Sequence, residues 1–485
     1  MAQPLVEPCS RGIIAAEPCP REQGREIPAE RRRMVLSACV LASAMAFIDG
    51  SALTVALPKL RADLGADLAS VQWVLNGYVL ALASLTLIGG ALADAYGKAR
   101  MLALGCLLFG AASAACALAP SVTWLTAARV VQGIAAAIVA PASLALIGAT
   151  YPRDERNRAI GVWAAASALT TAGGPILGGW LTETFGWQFI FWINPPLALG
   201  TVALLAAYAP RDRREPRRFD VVGAVILAAA LAALAWALSQ IGSAEPGAAA
   251  TTTATTSLAA AAGAGLLGLA VYAWWERVST HPMTPPRLAG NRPFLGLNLA
   301  TLLVYGAASI MFFLLPFELI DRRGLSATDA GLAFLPFTLG VGLLSRRFGS
   351  LADSIGARGL LIAGPAAAAV AYLWMALARD TPLVLGVVGP MVLLGLAFAA
   401  IAAPITASVL SSVDQSDEGL ASGVNNAVSR AAQLAGVALA AGAGSWAFGY
   451  EAGLAAAAAA SIAGSLAIAA MLPPTSPGPQ RPGRP

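Results

Sequence analysis

Three ionisable side chains stand inside apolar runs: Asp49 in AMAFIDGSALTVALP, Arg129 in LTAARVVQGIAAA and Arg430 in GVNNAVSRAAQL. An ionised carboxylate turned toward lipid costs about 2.5 kcal/mol or more, so Asp49 is expected to face a cavity, where it can take up and release a proton. The alternative is a structural carboxylate held by Ser51 or by a neighbouring helix. Arginine keeps its charge under all ordinary conditions. Arg129 therefore cannot carry a proton, but it can tune a carrier or hold two helices together. Arg430 needs a partner because an unpaired buried cation is costly; a carbonyl cluster, Glu318 or a bound molecule could serve. Gln132, Asn194, Glu318, Asn425 and Asn426 are the other polar groups expected to face neighbouring helices or an internal cavity.

These side chains must be positioned by helices. The chain has 485 residues, 58% hydrophobic and 12% charged, roughly half the charge of an ordinary soluble domain. Apolar runs of about 20 residues recur along it, the pattern of an all-α polytopic membrane protein. Fourteen candidate spans can be placed. Basic residues gather in alternate turns, which predicts cytoplasmic N- and C-termini. The net charge of +5 comes from those turns, not from a nucleic-acid patch. Residues 1–33 lack the apolar core of a signal peptide and read as a disordered cytoplasmic tail. Residues 34–210 then form one six-span bundle, 219–276 two inserted spans, 293–472 a second six-span bundle and 473–485 a short disordered tail.

A repeat explains that number. GGALADAYGKAR, Gly89 to Arg100, joins two apolar runs, and GSLADSIGAR, Gly349 to Arg358, does the same further on. Gly90, Asp94 and Gly97 recur as Gly349, Asp353 and Gly356, offset by 259 residues. A glycine at a helix end permits close packing, and an aspartate there can face the positive N-terminal end of a neighbour. Gly97 permits the turn itself. A second echo links Ala159, Gly161 and Val162 to Ala421, Gly423 and Val424. A charged turn copied into two halves of a hydrophobic chain is the mark of a repeat-built membrane protein.

In this order and spacing the motifs resemble those of the major facilitator superfamily, and within it the fourteen-span drug–proton antiporter branch. The resemblance covers about residues 34 to 472. The turn keeps Gly90, Leu92, Ala93, Asp94 and Gly97, but Ala95 stands where the family has Arg. Span 1 reads DGSALTVALP, span 4 carries Leu125, Arg129, Gln132 and Gly133, and span 5 carries GGPILGG as Gly174, Pro175, Gly178 and Gly179. Span 6 opens WQFIFWINPP and span 13 begins GLASGVNNAVSR. The resemblance implies proton coupling through Asp49 and Arg129, gating by Gly90, Asp94, Gly97, Asp353 and Gly356, and a seal against leak at the span-5 glycines and Pro175. Helix packing alone is the plainer account of that seal.

No GxxxxGK[ST] loop and no GxSxG elbow occurs, so ATP-driven transport and hydrolase chemistry lack their residues. The single His281 and the five scattered cysteines offer no metal pattern. The expectation is a non-enzymatic secondary transporter of the plasma membrane, monomeric and without cofactor. It would exchange protons for small amphipathic molecules through a midplane cavity, within a lipid bilayer and without nucleic acid. An uptake symporter, a lipid or metabolite transporter, or a transport-inactive sensor or scaffold on the same fold are the alternatives.

Overall fold

A computed structural model describes residues 27–210, 220–241, 252–279, 288, 290–413, 418–442 and 449–473. Among the described residues the structure is helical, without strands. The first bundle contains α1 (Ala29–Asp63), α2 (Leu68–Tyr96), α3 (Lys98–Ala117), α4 (Val122–Thr150) and α5 (Arg153–Thr184). It closes with a broken sixth span, α6 (Gln188–Trp192) and α7 (Asn194–Tyr208). Two helices follow, α8 (Val221–Ile241) and α9 (Thr252–Val278). The second bundle begins with α10 (Arg292–Phe317), which runs into a π turn, Glu318–Arg322. It continues with α11 (Ala327–Leu332), α12 (Leu335–Ile355), α13 (Ala357–Leu377), α14 (Gly389–Ser411), α15 (Glu418–Gly442) and α16 (Gly449–Met471).

Ten helical segments among the described residues are long and apolar enough to cross a membrane. The helices α2, α5, α8 and α15 lie where the remaining four spans were expected. Leucines such as Leu104, Leu199, Leu266, Leu343, Leu377 and Leu466 point outward, more than half exposed. In a protein bathed by lipid such outward leucines carry no hydrophobic penalty.

Local chemistry sets the ends of the helices. Asp67, Ser121, Asn291 and Ser326 accept backbone N–H bonds and start α2, α4, α10 and α11. Gly97 and Gly356 end α2 and α12 with φ of 106° and 89°, values L side chains rarely adopt. Their ψ values, 130° and 141°, match as well. The sequence repeat is thus a repeat of backbone geometry.

One boundary differs from expectation. Helix α1 begins at Ala29, so Arg31, Arg32 and Arg33 are helical instead of belonging to a disordered tail. Arg32 pairs with Glu155 at 3.2 Å, and Tyr151 donates its hydroxyl to the Arg32 carbonyl at 3.0 Å. Those contacts come from the α4–α5 turn and are invisible in the local composition. Most of the two predicted tails lies outside the described residues.

The α8–α9 hairpin is tied at its base by Asp220, which accepts from Trp275 Nε1 at 2.6 Å and from Ser279 Oγ at 3.3 Å. Its α8 packs against both α2 and α15, one helix from each bundle.

Candidate functional site

Asp49, near the middle of α1, is fully buried, as are Arg129 and Gln132 of α4, Asn194 of α7 and Ser113 of α3. They form one network. Arg129 Nη1 donates to Asp49 Oδ2 in a short ion pair. The same Nη1 donates to Gln132 Oε1 at 2.7 Å, and Arg129 Nε donates to the Val74 carbonyl at 3.1 Å. Gln132 Nε2 and Asn194 Nδ2 both donate to Asp49 Oδ1, at 2.9 and 3.3 Å. Ser113 Oγ accepts from Asn194 at 2.8 Å and from Gln132 at 3.3 Å, and donates to the Phe191 carbonyl at 2.9 Å. Arg129 and Gln132 lie one turn apart on α4, so both reach the same carboxylate. The Arg129 guanidinium also lies over the Tyr78 ring, 4.1 Å from its centre, a favourable cation–π placement.

A cavity of about 390 Å³ lies between the two bundles, walled by α1, α2, α4 and α5 on one side and by α10, α12 and α15 on the other. Arg129 forms part of its wall, with Tyr78 beside it. Asp49 does not: it sits behind Arg129, to which it is paired. Ser51 is not its partner, because the Ser51 hydroxyl donates to the Phe47 carbonyl at 2.9 Å. Phe312, Phe313 and Phe337 supply an aromatic face, and Arg430 and Gln433 line the wall on α15. Arg430 Nη1 donates to Gln433 Oε1 at 3.1 Å.

Several candidate residues lie elsewhere. Glu318 is not on the cavity and does not pair with Arg430. It is buried at one end of the second bundle among three arginines. Arg379 donates to it from Nη2 at 2.9 Å and Arg322 from Nη1 at 2.7 Å, while Arg323 stands 3.7 Å away. Arg322 also bonds Asp380 in the adjoining loop and holds that carboxyl below its usual range. Asn425 is also away from the cavity: it donates to Asn298 Oδ1 at 3.2 Å and Thr301 Oγ1 at 3.0 Å, joining α15 to α10. Asn194 and Gln132 belong to the Asp49 network, and Asn426 is exposed on α15. The side chains of Asp94 and Asp353 lie outside the described residues. Their helices carry Gly90 against Pro141 of α4, at 3.5 Å from a β-carbon, and Gly349 against Ala403 of α14, at 3.8 Å.

The glycines of α5 have no room for a side chain. A β-carbon on Gly174 would overlap Ser51 Oγ, and one on Gly178 would overlap the Ala52 carbonyl of α1. One on Gly179 would strike the Ala327 carbonyl of α11, in the other bundle. Gly331 meets the Pro175 carbonyl in the same way from the opposite side. At this end the bundles also share Arg61–Asp321 at 3.7 Å and a bond from the Thr328 N–H to Glu183 at 3.0 Å. The bundles are therefore closed on each other at the end that carries these groups. The cavity lies inward of that seam.

Comparison with known proteins places this geometry. The chain is 34% identical over 376 residues to the multidrug resistance protein Stp of Mycobacterium tuberculosis, covering 77% of this chain and 68% of that one. It is 34% identical over 380 residues to the cephamycin export protein CmcT of Amycolatopsis lactamdurans, covering 76% of each. Among solved structures, a peptide transporter POT in complex with sulfate superposes with a TM-score of 0.68 at 16% identity, over 92% of this chain and 96% of that one. An inward-facing bacterial homologue of the lysosomal transporter Spinster gives 0.64 at 16% identity, over 92% and 96%. These structures share the fold. The model of the Major Facilitator Superfamily matches residues 39–295 and 297–485. Two bundles around one cavity, a duplicated glycine turn and a match over nearly the whole length agree, and the chain belongs to the major facilitator superfamily.

Proposed function

We propose that this transporter exports small amphipathic compounds, drugs or antibiotics among them, in exchange for protons. The observation that carries the reading is the Asp49–Arg129 pair: a fully buried carboxylate whose partner forms the cavity wall. Proton uptake on Asp49 removes the negative charge that holds Arg129. Arg129 must then repack, and with it the wall that a bound molecule touches. Occupancy of the cavity and protonation of Asp49 are thereby linked through one guanidinium. The relatives support efflux, since they are resistance and export proteins.

In this reading the end closed by Gly179, Arg61 and Glu183 faces outward. Both termini and the Gly97 and Gly356 turns lie in the cytoplasm, and the chain crosses the plasma membrane fourteen times as a monomer. Asp94 and Asp353 fasten the cytoplasmic gate as a pseudo-symmetric pair. The proton gradient is the sole energy source and no cofactor takes part.

The test is Asp49→Asn in everted membrane vesicles, alongside a susceptibility screen with and without expression of the native chain. Loss of pH-gradient-driven uptake into the vesicles is expected. Retained uptake with an unchanged pH profile would overturn the coupling, and an unaltered susceptibility pattern would overturn the export of drugs.

A further inference from the structure

The charges that meet at the cavity are unequal. Among the described residues its lining includes two arginines, Arg129 and Arg430, and no carboxylate. Arg129 is answered by Asp49 behind it. The oxygens of Glu318, a buried acid of the second bundle, are taken by Arg379 and Arg322. Among the described residues Arg430 has as hydrogen-bond partner the neutral Gln433, one turn further along α15. A guanidinium has five N–H donors in a planar fork; that one amide oxygen leaves most of them without a partner among the described residues, on a side chain that lines the cavity. The same cavity is lined by rings: Phe312, Phe313 and Phe337 on the second bundle and Tyr78 on the first. Phe337 packs edge-on against Phe312 with ring centres 5.3 Å apart.

Resting on the export reading above, we propose that Arg430 is the recognition point for substrate oxygen. The cavity takes aromatic compounds that present a carbonyl or carboxylate oxygen to Arg430, and rejects organic cations. The aromatic body lies on the phenylalanine face, and the oxygen completes the hydrogen bonding of the guanidinium. An ammonium in the same place would meet Arg430 with no acidic side chain among the described residues of the wall to offset it. The Arg129 charge adds to the rejection whenever Asp49 is protonated.

The experiment uses the purified full chain and three fluorescent probes built on one anthracene ring, bearing a carboxamide, a carboxylate or an aminomethyl group. The carboxamide and carboxylate distinguish a neutral acceptor from an anionic one. Hydrogen bonds to a charged donor contribute about 1.5–3 kcal/mol, which corresponds to roughly ten- to hundredfold in affinity. At least one of the two oxygen-bearing probes should therefore bind about tenfold or more tightly than the aminomethyl probe, and Arg430→Ala should abolish that difference. Arg430→Lys, which keeps the charge but not the fork, should retain part of it. Equal binding of all three probes, tighter binding of the amine, or binding of none would overturn the inference. So would an unchanged preference in Arg430→Ala. Should that variant fail to fold, the native chain's ranking of the probes still decides. A native chain that exports compounds but prefers the amine loses this inference and keeps the export reading, because the susceptibility screen involves no change at Arg430.

Discussion

Asp49 and Arg129 form a pair in which each is the other's compensation. Breaking a buried ion pair by removing one member costs about 3–5 kcal/mol, because a naked charge is left behind. Arg129→Gln alone should therefore unfold at clearly lower temperature than the native chain. The double variant Asp49→Asn/Arg129→Gln should recover most of that loss while remaining inactive in vesicle transport. Thermal unfolding of the purified proteins reads the first effect and vesicle uptake the second. Ser113 is the hub that joins α3, α4 and α7, and Ser113→Ala should cost about 1–3 kcal/mol by leaving the Gln132 and Asn194 amides short of an acceptor. Charged residues in apolar runs were legible in the sequence because such placements are rare. Ser113 was not. Most serines and threonines in these spans bond their own helix, as Ser84 does to the Leu80 carbonyl at 2.6 Å and Thr201 to the Leu197 carbonyl at 2.8 Å. Glu318 was legible as a buried acid, but its partners were not, since Arg379 is 61 residues away along the chain.

At the scale of elements, glycines do two different jobs. Gly97 and Gly356 make turns with positive φ. Replacing either with Ala forces a β-carbon into that region at a cost of about 1–3 kcal/mol, and the two losses should be similar because the turns are copies. Thermal unfolding of the two single variants checks this. The α5 glycines make contacts instead. Gly178→Ala presses on α1 within one bundle and should lower stability. Gly179→Ala presses on α11 in the other bundle, so it should leave stability nearly unchanged and disfavour closure. Distance measurements between spin labels on the two bundles would separate these cases. The duplicated turn and the span-5 pattern were readable because each lies within a dozen residues. That Gly178 and Gly179 serve different bundles was not, because adjacent residues on a helix point about 100° apart and only the assembled fold says what each one meets.

For the whole molecule, magnitudes decide what holds the closed end shut. Arg61–Asp321 is a partly exposed pair, and such pairs contribute roughly 0–1 kcal/mol. The seam at Gly179, Gly331, Pro175 and Ala327 brings backbone against backbone with no room for a β-carbon at either glycine. Arg61→Ala should thus change transport by no more than about fivefold, and high salt should not open the seam. Gly179→Val should depress transport far more. Vesicle uptake by the two variants reads the transport effects, and labelling at the closed end in high salt reads whether the seam opens. Two bundles and an inserted pair could be read from the repeat offset. The direction of closure could not, because both states of an alternating fold share one sequence.

The position of α8 has a consequence for the symmetry of the molecule. The two bundles meet along two seams that face the bilayer, one between α2 and α15, the other between α5 and α11–α12. Helix α8 lies against both members of the first, while the second has no comparable cover among the described residues. The pseudo-twofold symmetry of the bundles is thus broken at their two seams: a third helix covers one, and direct glycine-to-backbone contact between the bundles closes the other at Gly179 and Gly331.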